Sequence, residues 1–106
     1  MAKYLLQGSY TSEGLKGLHK DKASGRRDAL ARACQSEGGK LDVLYYAFGA
    51  DDFAAILDLP DNAAAMSLSL TIGESGVVRT RTTPLMAIEE MDRALTKSAE
   101  YRAPGR

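Results

Sequence analysis

Few side chains in this sequence have the chemistry for catalysis or metal binding. His19 is the only imidazole among the 106 residues, and an imidazole could serve as a base or as a haem ligand. The alternative for His19 is an ordinary exposed histidine, which the polar run 19–25 favours. One histidine and one cysteine, Cys34, are too few to build a zinc or iron site. We therefore expect no metal and no cofactor.

Tyrosine is the more suggestive residue type, because four of the five tyrosines fall in strand-like segments: Tyr4, Tyr10, Tyr45 and Tyr46. Tyrosine is favoured where the ring is buried and the hydroxyl needs a polar partner. These side chains could line a ligand pocket between a sheet and its helices, or they could pack against a second chain. We favour packing for the set, and we keep Tyr4 and Tyr46 as ligand-binding candidates.

Two pairs of charged residues give further candidates. Arg79 and Arg81 alternate along one strand and so share a face. Together they could clamp a carboxylate or phosphate as ligand-binding residues, or they could protect an exposed strand edge from unwanted pairing. Asp51 and Asp52 are adjacent and point to opposite sides of the strand, so we favour a structural role in a turn over acid–base chemistry.

Hydrophobic periodicity and turn residues predict the elements that would position these side chains. Strands are predicted at 3–10, 40–48, 52–59 and 77–83, and helices at 26–37, 62–72 and 86–101. A further helical segment begins at Ser12, and the polar run 19–25 predicts a break or kink after it. The next helix starts at Arg26 and Arg27, which we expect to be solvated; the alternative is that they hold an anion together with the helix-start amides. This helix carries Cys34 as an inert thiol on its apolar face.

The order β-α-β-β-α-β-α predicts an α+β, ferredoxin-like fold, βαββαβ with an additional C-terminal helix and a four-stranded antiparallel sheet. Two helices cover only one face of such a sheet, yet the hairpin of the second and third strands is apolar on both sides. A second copy packed sheet against sheet would cover the other face, and so would the C-terminal helix folding back. We favour the second copy, with Tyr45, Phe48, Phe53 and Ile56 at the dimer face.

The segment 48–53, Phe-Gly-Ala-Asp-Asp-Phe, followed by Leu59-Pro60-Asp61, resembles the signature of the GYD domain family. The strands 4–11 and 78–80 resemble it too, and the likeness extends over most of the chain. Ala50 stands where the family usually has tyrosine. The family is similar to the dimeric α+β-barrel superfamily, so the resemblance implies this fold and a dimer, and it implies no catalytic residue.

Composition limits the classes of function. The 14 basic residues equal the 14 acidic residues, whereas nucleic-acid and membrane-surface proteins rely on a field of one sign. We therefore expect neither of those partners. A single domain is predicted over residues 1–106, with 102–106 as a frayed tail, in the cytoplasm of a bacterium.

Three hypotheses for function remain open. The first is a homodimeric, or higher homo-oligomeric, module that binds a small-molecule ligand or another protein. The second is a small cofactor-poor monooxygenase- or isomerase-like enzyme that uses the pocket between sheet and helices, with His19 as its catalytic candidate. The third is a dimeric scaffold with no pocket.

Overall fold

A computed structural model describes every residue of the chain, 1–106. Its elements are β1 (Ala2–Tyr10), α1 (Ser12–Ser36), β2 (Lys40–Tyr46), β3 (Phe53–Leu59), α2 (Asn62–Glu74), β4 (Val78–Pro84) and α3 (Ile88–Leu95). The strands form one four-stranded antiparallel sheet in the order β2-β3-β1-β4. This is the ferredoxin-like arrangement with an additional helix, so the predicted fold class is confirmed.

Side-chain caps fix where the first two helices begin. Thr11 Oγ1 accepts a hydrogen bond from the amide of Gly14 at 3.2 Å, and Asp61 Oδ1 accepts one from Ala64 at 2.9 Å. Each cap satisfies an amide that the first helical turn leaves without a partner. Within α1, Lys22 has φ 66° and ψ 164°, so the helix consists of two segments that meet at a kink. The break predicted for residues 19–25 is therefore confirmed.

The two faces of the sheet have different surroundings. The helix face lies under α1 and α2, and its buried residues are Tyr4, Leu6, Phe53, Ala55, Leu57 and Leu59. Cys34 from α1 and Leu68 from α2 pack against them. The open face lies on the other side, where the register places Lys3, Leu5, Gln7, Ser9, Val43, Tyr45, Ala54, Ile56, Asp58, Arg79, Arg81 and Thr83.

Strand β2 departs from regular alternation. Leu41 pairs with Leu57 and Val43 pairs with Ile56, so Asp42 is an extra residue in a β-bulge. The bulge moves Leu41 to the helix face, whereas strict alternation in β2 would place it beside Val43.

Helix α3 is shorter than the predicted span 86–101. The hydroxyl of Thr96 donates a hydrogen bond to the carbonyl of Arg93 at 2.6 Å, and the Thr96 amide contacts the same oxygen at 3.1 Å. These bonds close the last turn, and the helix ends at Leu95. All of α3 is exposed, with Ile88 75% and Leu95 69% accessible to solvent, so α3 does not fold back over the open face.

Candidate functional site

A small cavity lies between the helix face and the two helices, at the end of the sheet where β1 finishes. Its volume is about 50 Å³, and it is lined by Tyr10, Arg26, Leu30, Leu44, Tyr46, Phe53, Ile72 and Val78. It adjoins a larger cleft of about 440 Å³ beside the first segment of α1. Tyr10, Arg26, Ile72 and Val78 line both spaces, so the two form one continuous site.

Three aromatic rings form one wall of the cavity. The rings of Tyr10 and Tyr46 stack with centroids 6.5 Å apart, and Phe53 lies 5.6 Å from Tyr10 at a tilt of 51°. The Phe53 ring occupies the space where Gly8 has no side chain, since a Cβ on Gly8 would lie 2.6 Å from Phe53 Cζ. Any larger residue at position 8 would push this ring out of the wall.

The two phenol groups at the cavity are joined to each other. The hydroxyls of Tyr10 and Tyr46 are 3.0 Å apart. Burial raises the pKa of Tyr10, the hydrogen bond with Tyr46 raises that pKa further, and the neighbouring Arg26 guanidinium acts in the opposite direction. The net effect is upward, so the Tyr10 phenol keeps its proton at neutral pH and acts as a hydrogen-bond donor.

Arg26 is the one charged residue that lines the small cavity. It lies in the first turn of the second segment of α1, after the kink at Lys22. Its Nη1 lies 3.5 Å from Asp21 Oδ2, and both side chains are partly exposed. Asp21 and Glu13 line the outer cleft. The cleft therefore has a cationic group at its inner end and two carboxylates further out.

The start of α1 lies unusually close to the sheet. A Cβ on Gly14 would lie 2.2 Å from the carbonyl oxygen of Val77, and the amide of Thr11 donates to the same carbonyl at 3.0 Å. Because Gly14 has no side chain, the backbone of α1 can lie directly against the backbone of Val77 at the edge of the cleft.

The structure distributes the four predicted ligand-binding residues over three places. Tyr46 lines the cavity. Tyr4 is 2% exposed, and its hydroxyl donates to Asn62 Oδ1 at 2.6 Å, outside the cavity lining. Arg79 and Arg81 lie on the open face, on the opposite side of the sheet from the cavity. Arg81 Nη2 contacts Asp51 Oδ2 at 2.5 Å.

The remaining chemical candidates lie outside the cleft. His19 is exposed on α1 beside Leu15, Lys16 and Lys20, none of which lines the cavity. Cys34 is fully buried, and burial raises the pKa of its thiol to about 11. No group of three or more His, Cys, Asp or Glu side chains is arranged to hold a metal ion.

The hairpin loop 47–52 uses its two aspartates structurally. Asp52 Oδ2 accepts a hydrogen bond from the amide of Tyr10 at 2.9 Å, and the Asp52 amide donates to the carbonyl of Gly8 at 2.8 Å. The hydroxyl of Ser9 donates to the carbonyl of Ala50 at 2.9 Å. These contacts fasten the loop to the end of β1, beside the cavity.

The predicted dimer-face residues do not all share a face. Tyr45 and Ile56 lie on the open face, and Phe48 is fully exposed at the hairpin loop. Phe53 lies on the helix face and is 6% exposed. Because β3 begins at Phe53, alternation aligns Phe53 with Ala55 and Leu57, away from Ile56. Phe53 therefore contributes to the cavity wall.

Arg26 was expected to be solvated, with anion binding at the helix start as the alternative, and the structure places it in the cavity lining. The sequence did carry a signal for Tyr10, which shares a strand face with the apolar Tyr4 and Leu6. For Arg26 the signal was its position at the start of the helix that follows the polar run 19–25, the run in which the kink at Lys22 lies.

Comparison with known proteins gives one match. The family model of the GYD domain matches residues 4–95. No curated protein and no solved structure matches the chain. None of the helices combines the length and the apolar character needed to cross a membrane. Because the family match covers most of the 106 residues, the chain belongs to the GYD domain family.

Proposed function

We propose that this protein is a homodimeric module that binds a small molecule in the cleft between the helix face and the helices. The observation that carries the proposal is the lining of the inner cavity, which is apolar except for Arg26 and the Tyr10–Tyr46 pair. An apolar pocket with a few convergent polar groups is the usual form of a small-molecule site. The unpaired thiol of Cys34 suits the reducing cytoplasm, where we expect the module to work.

The polar groups at the cavity favour a ligand with a hydrogen-bond-accepting head. Arg26 has five N–H donors and no acceptor. The two phenols share one hydrogen bond, which leaves one hydroxyl proton free to donate outwards. An acceptor such as a carboxylate or carbonyl could satisfy both donors in the inner cavity while its apolar body lies along Ile72 and Val78 in the wider cleft.

The outer carboxylates oppose this preference and make it testable. Glu13 and Asp21 border the wider part of the cleft, where they would attract a cation. A ligand with a cationic head would therefore bind if the outer cleft decided the affinity. A ligand with an acceptor head binds if the inner donors decide it, which is our proposal.

The homodimer is supported by the amount of apolar surface that one copy leaves uncovered. Only 13 of 106 residues are buried, and Tyr45 on the open face remains 70% exposed. In α3, Ile88, Met91 and Leu95 form an exposed apolar stripe. Monomers rarely expose contiguous apolar surface of this kind.

Three probes with the same tail test the binding proposal: octanoate, octanamide and octylammonium. We expect octanoate and octanamide to shift the backbone amide NMR signals around Tyr10, Arg26 and Ile72, and octylammonium to bind at least tenfold more weakly. Ile72→Trp fills the cavity and should abolish these shifts. Leu70→Trp, on the exposed side of α2, is the matched control and should keep them.

Two results would contradict the binding proposal. One is equal binding of octylammonium, which would assign the affinity to Glu13 and Asp21. The other is binding that survives Ile72→Trp, which would locate the probe outside the cavity.

The dimer is tested separately by light scattering. We expect a dimer at micromolar concentration, and a monomer after Ile56→Asp, because the substitution introduces a charge in the middle of the open face. Met66→Asp makes the same change at an exposed position of α2 and should leave the dimer intact. A monomeric wild-type chain would overturn the dimer without bearing on the cleft.

A further inference from the structure

We propose that the outer edge of β4 binds an extended segment of a partner protein, in which apolar and acidic residues alternate. The segment continues the sheet as a fifth strand beside β4, and it lies along the groove between β4 and α2. This site is at the rim of the sheet, so it depends neither on the small-molecule cleft nor on the homodimer proposed above.

The two edge strands of the sheet differ in how well they can accept a further strand. The strand order makes β2 and β4 the edges. Strand β2 is interrupted by the bulge at Asp42, whose carboxylate forms an ion pair with Lys3, and bulges and charges are features that block pairing at an edge. Strand β4 pairs with β1 from Val78 to Pro84 without any shift of register. Of the two edges, β4 is therefore the regular one.

The free backbone groups of β4 belong to alternate residues. In an antiparallel pair, every second residue of a strand exchanges hydrogen bonds with the neighbouring strand. The amide of Leu85 donates to the carbonyl of Lys3 at 2.9 Å, so the odd-numbered residues of β4 form the bonds with β1. Thr80 and Thr82 therefore direct their amides and carbonyls outwards, where no strand of this chain lies.

A groove of about 230 Å³ runs between β4 and α2. The hydroxyls of Ser69 and Thr82 are 2.7 Å apart across it, which shows how closely α2 approaches the edge strand. An edge strand gives affinity through main-chain hydrogen bonds, and pockets beside the strand give specificity for alternate side chains. The lining residues occupy one face of the helix and one face of the strand: Asn62, Ala65, Met66 and Ser69 from α2, and Thr82 and Pro84 from β4.

The groove favours apolar side chains in the added strand. Thr80 and Thr82 lie on the helix face, since Thr82 pairs with the buried Leu6. Residues opposite these two threonines therefore point towards α2. None of the residues that line the groove is charged. Met66 is 60% exposed there, and a thioether side chain adapts its shape to varied apolar partners.

Two arginines favour acidic side chains at the alternate positions. Arg79 and Arg81 lie on the open face of β4, and both are exposed. Arg81 pairs with Asp51, whereas Arg79 forms no ion pair within the chain. Opposite charges that face each other across two antiparallel strands stabilise the pairing. A strand with acidic residues opposite Arg79 and Arg81 therefore complements this edge.

The same arginines disfavour a second copy of this chain as the added strand. Two β4 strands related by a two-fold axis would pair antiparallel. Pairing centred on Thr80 places Arg79 opposite Arg81, and pairing centred on Arg81 places this residue opposite itself, so like charges oppose both. Pairing centred on Thr82 places Pro84, which has no amide, opposite Thr80.

Fluorescence anisotropy with short labelled peptides tests the proposal. The probe is Val-Glu-Val-Glu-Val-Glu-Val with fluorescein at one end. A peptide with lysine in place of glutamate should bind about tenfold more weakly, because it replaces opposite-charge pairs with like-charge pairs. The glutamate peptide N-methylated at its valines should also bind about tenfold more weakly, because it cannot donate hydrogen bonds to the edge of β4.

Variants of the protein test the same contacts from the other side. Thr80→Pro removes an outward amide, and an edge strand tolerates proline where the amide faces solvent, so we expect this variant to fold and to lose the probe. Arg79→Gln should weaken binding of the probe about threefold, because it removes one opposite-charge pair. Arg27→Gln, at an exposed arginine of α1, is the matched control and should leave binding unchanged.

Hydrogen exchange followed by NMR locates the probe on the wild-type protein. We expect saturating probe to slow exchange of the Thr80 and Thr82 amides about tenfold, because each gains a hydrogen bond that must open before exchange. In the absence of probe, exchange of these two amides should not depend on protein concentration.

Any of four results would overturn the proposal. The first is that the glutamate probe fails to bind at millimolar concentration. The second is that the lysine peptide or the N-methylated peptide binds as tightly as the probe, or that Thr80→Pro keeps full binding. The third is that saturating probe leaves exchange at Thr80 and Thr82 unchanged. The fourth is that these amides become protected in the protein alone as its concentration rises, which would assign the edge to a second copy.

Discussion

The hydroxyl of Tyr10 lies 3.0 Å from the hydroxyl of Tyr46, which connects the end of β1 to the end of β2 across the intervening strand β3. The pair stands beside Arg26 at the inner end of the cleft. Its hydrogen bond therefore contributes both to the shape of the cavity and to the protonation of Tyr10.

Replacing Tyr46 with Phe should lower the pKa of Tyr10. The substitution removes the hydrogen bond that raises this pKa but leaves the larger effect of burial, so the value should stay above that of a free tyrosine. The measurement is a pH titration followed by NMR of ¹³Cζ-labelled tyrosine. Tyr45→Phe, on the opposite face of the sheet, is the control and should leave the Tyr10 titration unchanged.

Replacing Asp52 with Ala should lower the free energy of unfolding by about 1–3 kcal/mol, because the carboxylate accepts a hydrogen bond from the amide of Tyr10. Asp51→Ala removes a neighbouring carboxylate that pairs with exposed Arg81. This variant should change the free energy of unfolding by less than about 1 kcal/mol. Urea unfolding at one protein concentration compares the two. Equal losses of unfolding free energy in the two variants would show that the hydrogen bond from Tyr10 to Asp52 stabilises the fold no more than the exposed Asp51–Arg81 pair does.

Replacing Gly14 with Ala should destabilise the protein by more than about 2 kcal/mol, because the new Cβ would lie 2.2 Å from the Val77 carbonyl oxygen. Gly17→Ala, one turn further along α1, meets no atom within 4 Å and should stabilise the helix by up to about 1 kcal/mol. Thermal unfolding of both variants measures the contrast. A neutral Gly14→Ala would mean that α1 can move away from β4.

Cys34 should make stability fall at alkaline pH. Its pKa is raised from 9.0 to about 11 in the folded chain, so above pH 9 the unfolded chain releases the thiol proton first and is favoured. The stabilisation from the buried, protonated thiol is fully present below pH 9. As the pH rises towards 11, the free energy of unfolding falls by on the order of 2 kcal/mol. Cys34→Ala should show a shallower decline in urea unfolding over this range, and identical slopes would contradict the prediction.

Much of the fold could be predicted from the sequence because its signals are local. Thr11 and Asp61 are residue types that favour the start of a helix, and both cap a helix in the structure. Side-chain alternation in β1 correctly places Tyr4 and Leu6 on the opposite face from Leu5. The resemblance to the GYD domain family implied the same ferredoxin-like fold. The β-bulge at Asp42 escaped prediction because it depends on how β2 pairs with β3, which is not a local property.

The candidate site was less predictable because it depends on how the helices pack on the sheet. Tyr46 could be proposed from its residue type, whereas Arg26 was expected to be solvated and lines the cavity where α1 packs beside β1 and β2. Arg79 and Arg81 were correctly expected to share a face, yet that face is the open one, opposite the cleft. Side-chain alternation tells which residues lie together but not which face the helices will cover.

The exposure of helix α3 has a consequence for how stable this segment is and how readily a protease cuts it. Eight residues with no buried side chain are too few to remain helical in water by themselves. A second chain that covered the apolar stripe of Ile88, Met91 and Leu95 would stabilise this helix. We therefore expect trypsin cleavage after Arg93 to slow as the protein concentration rises.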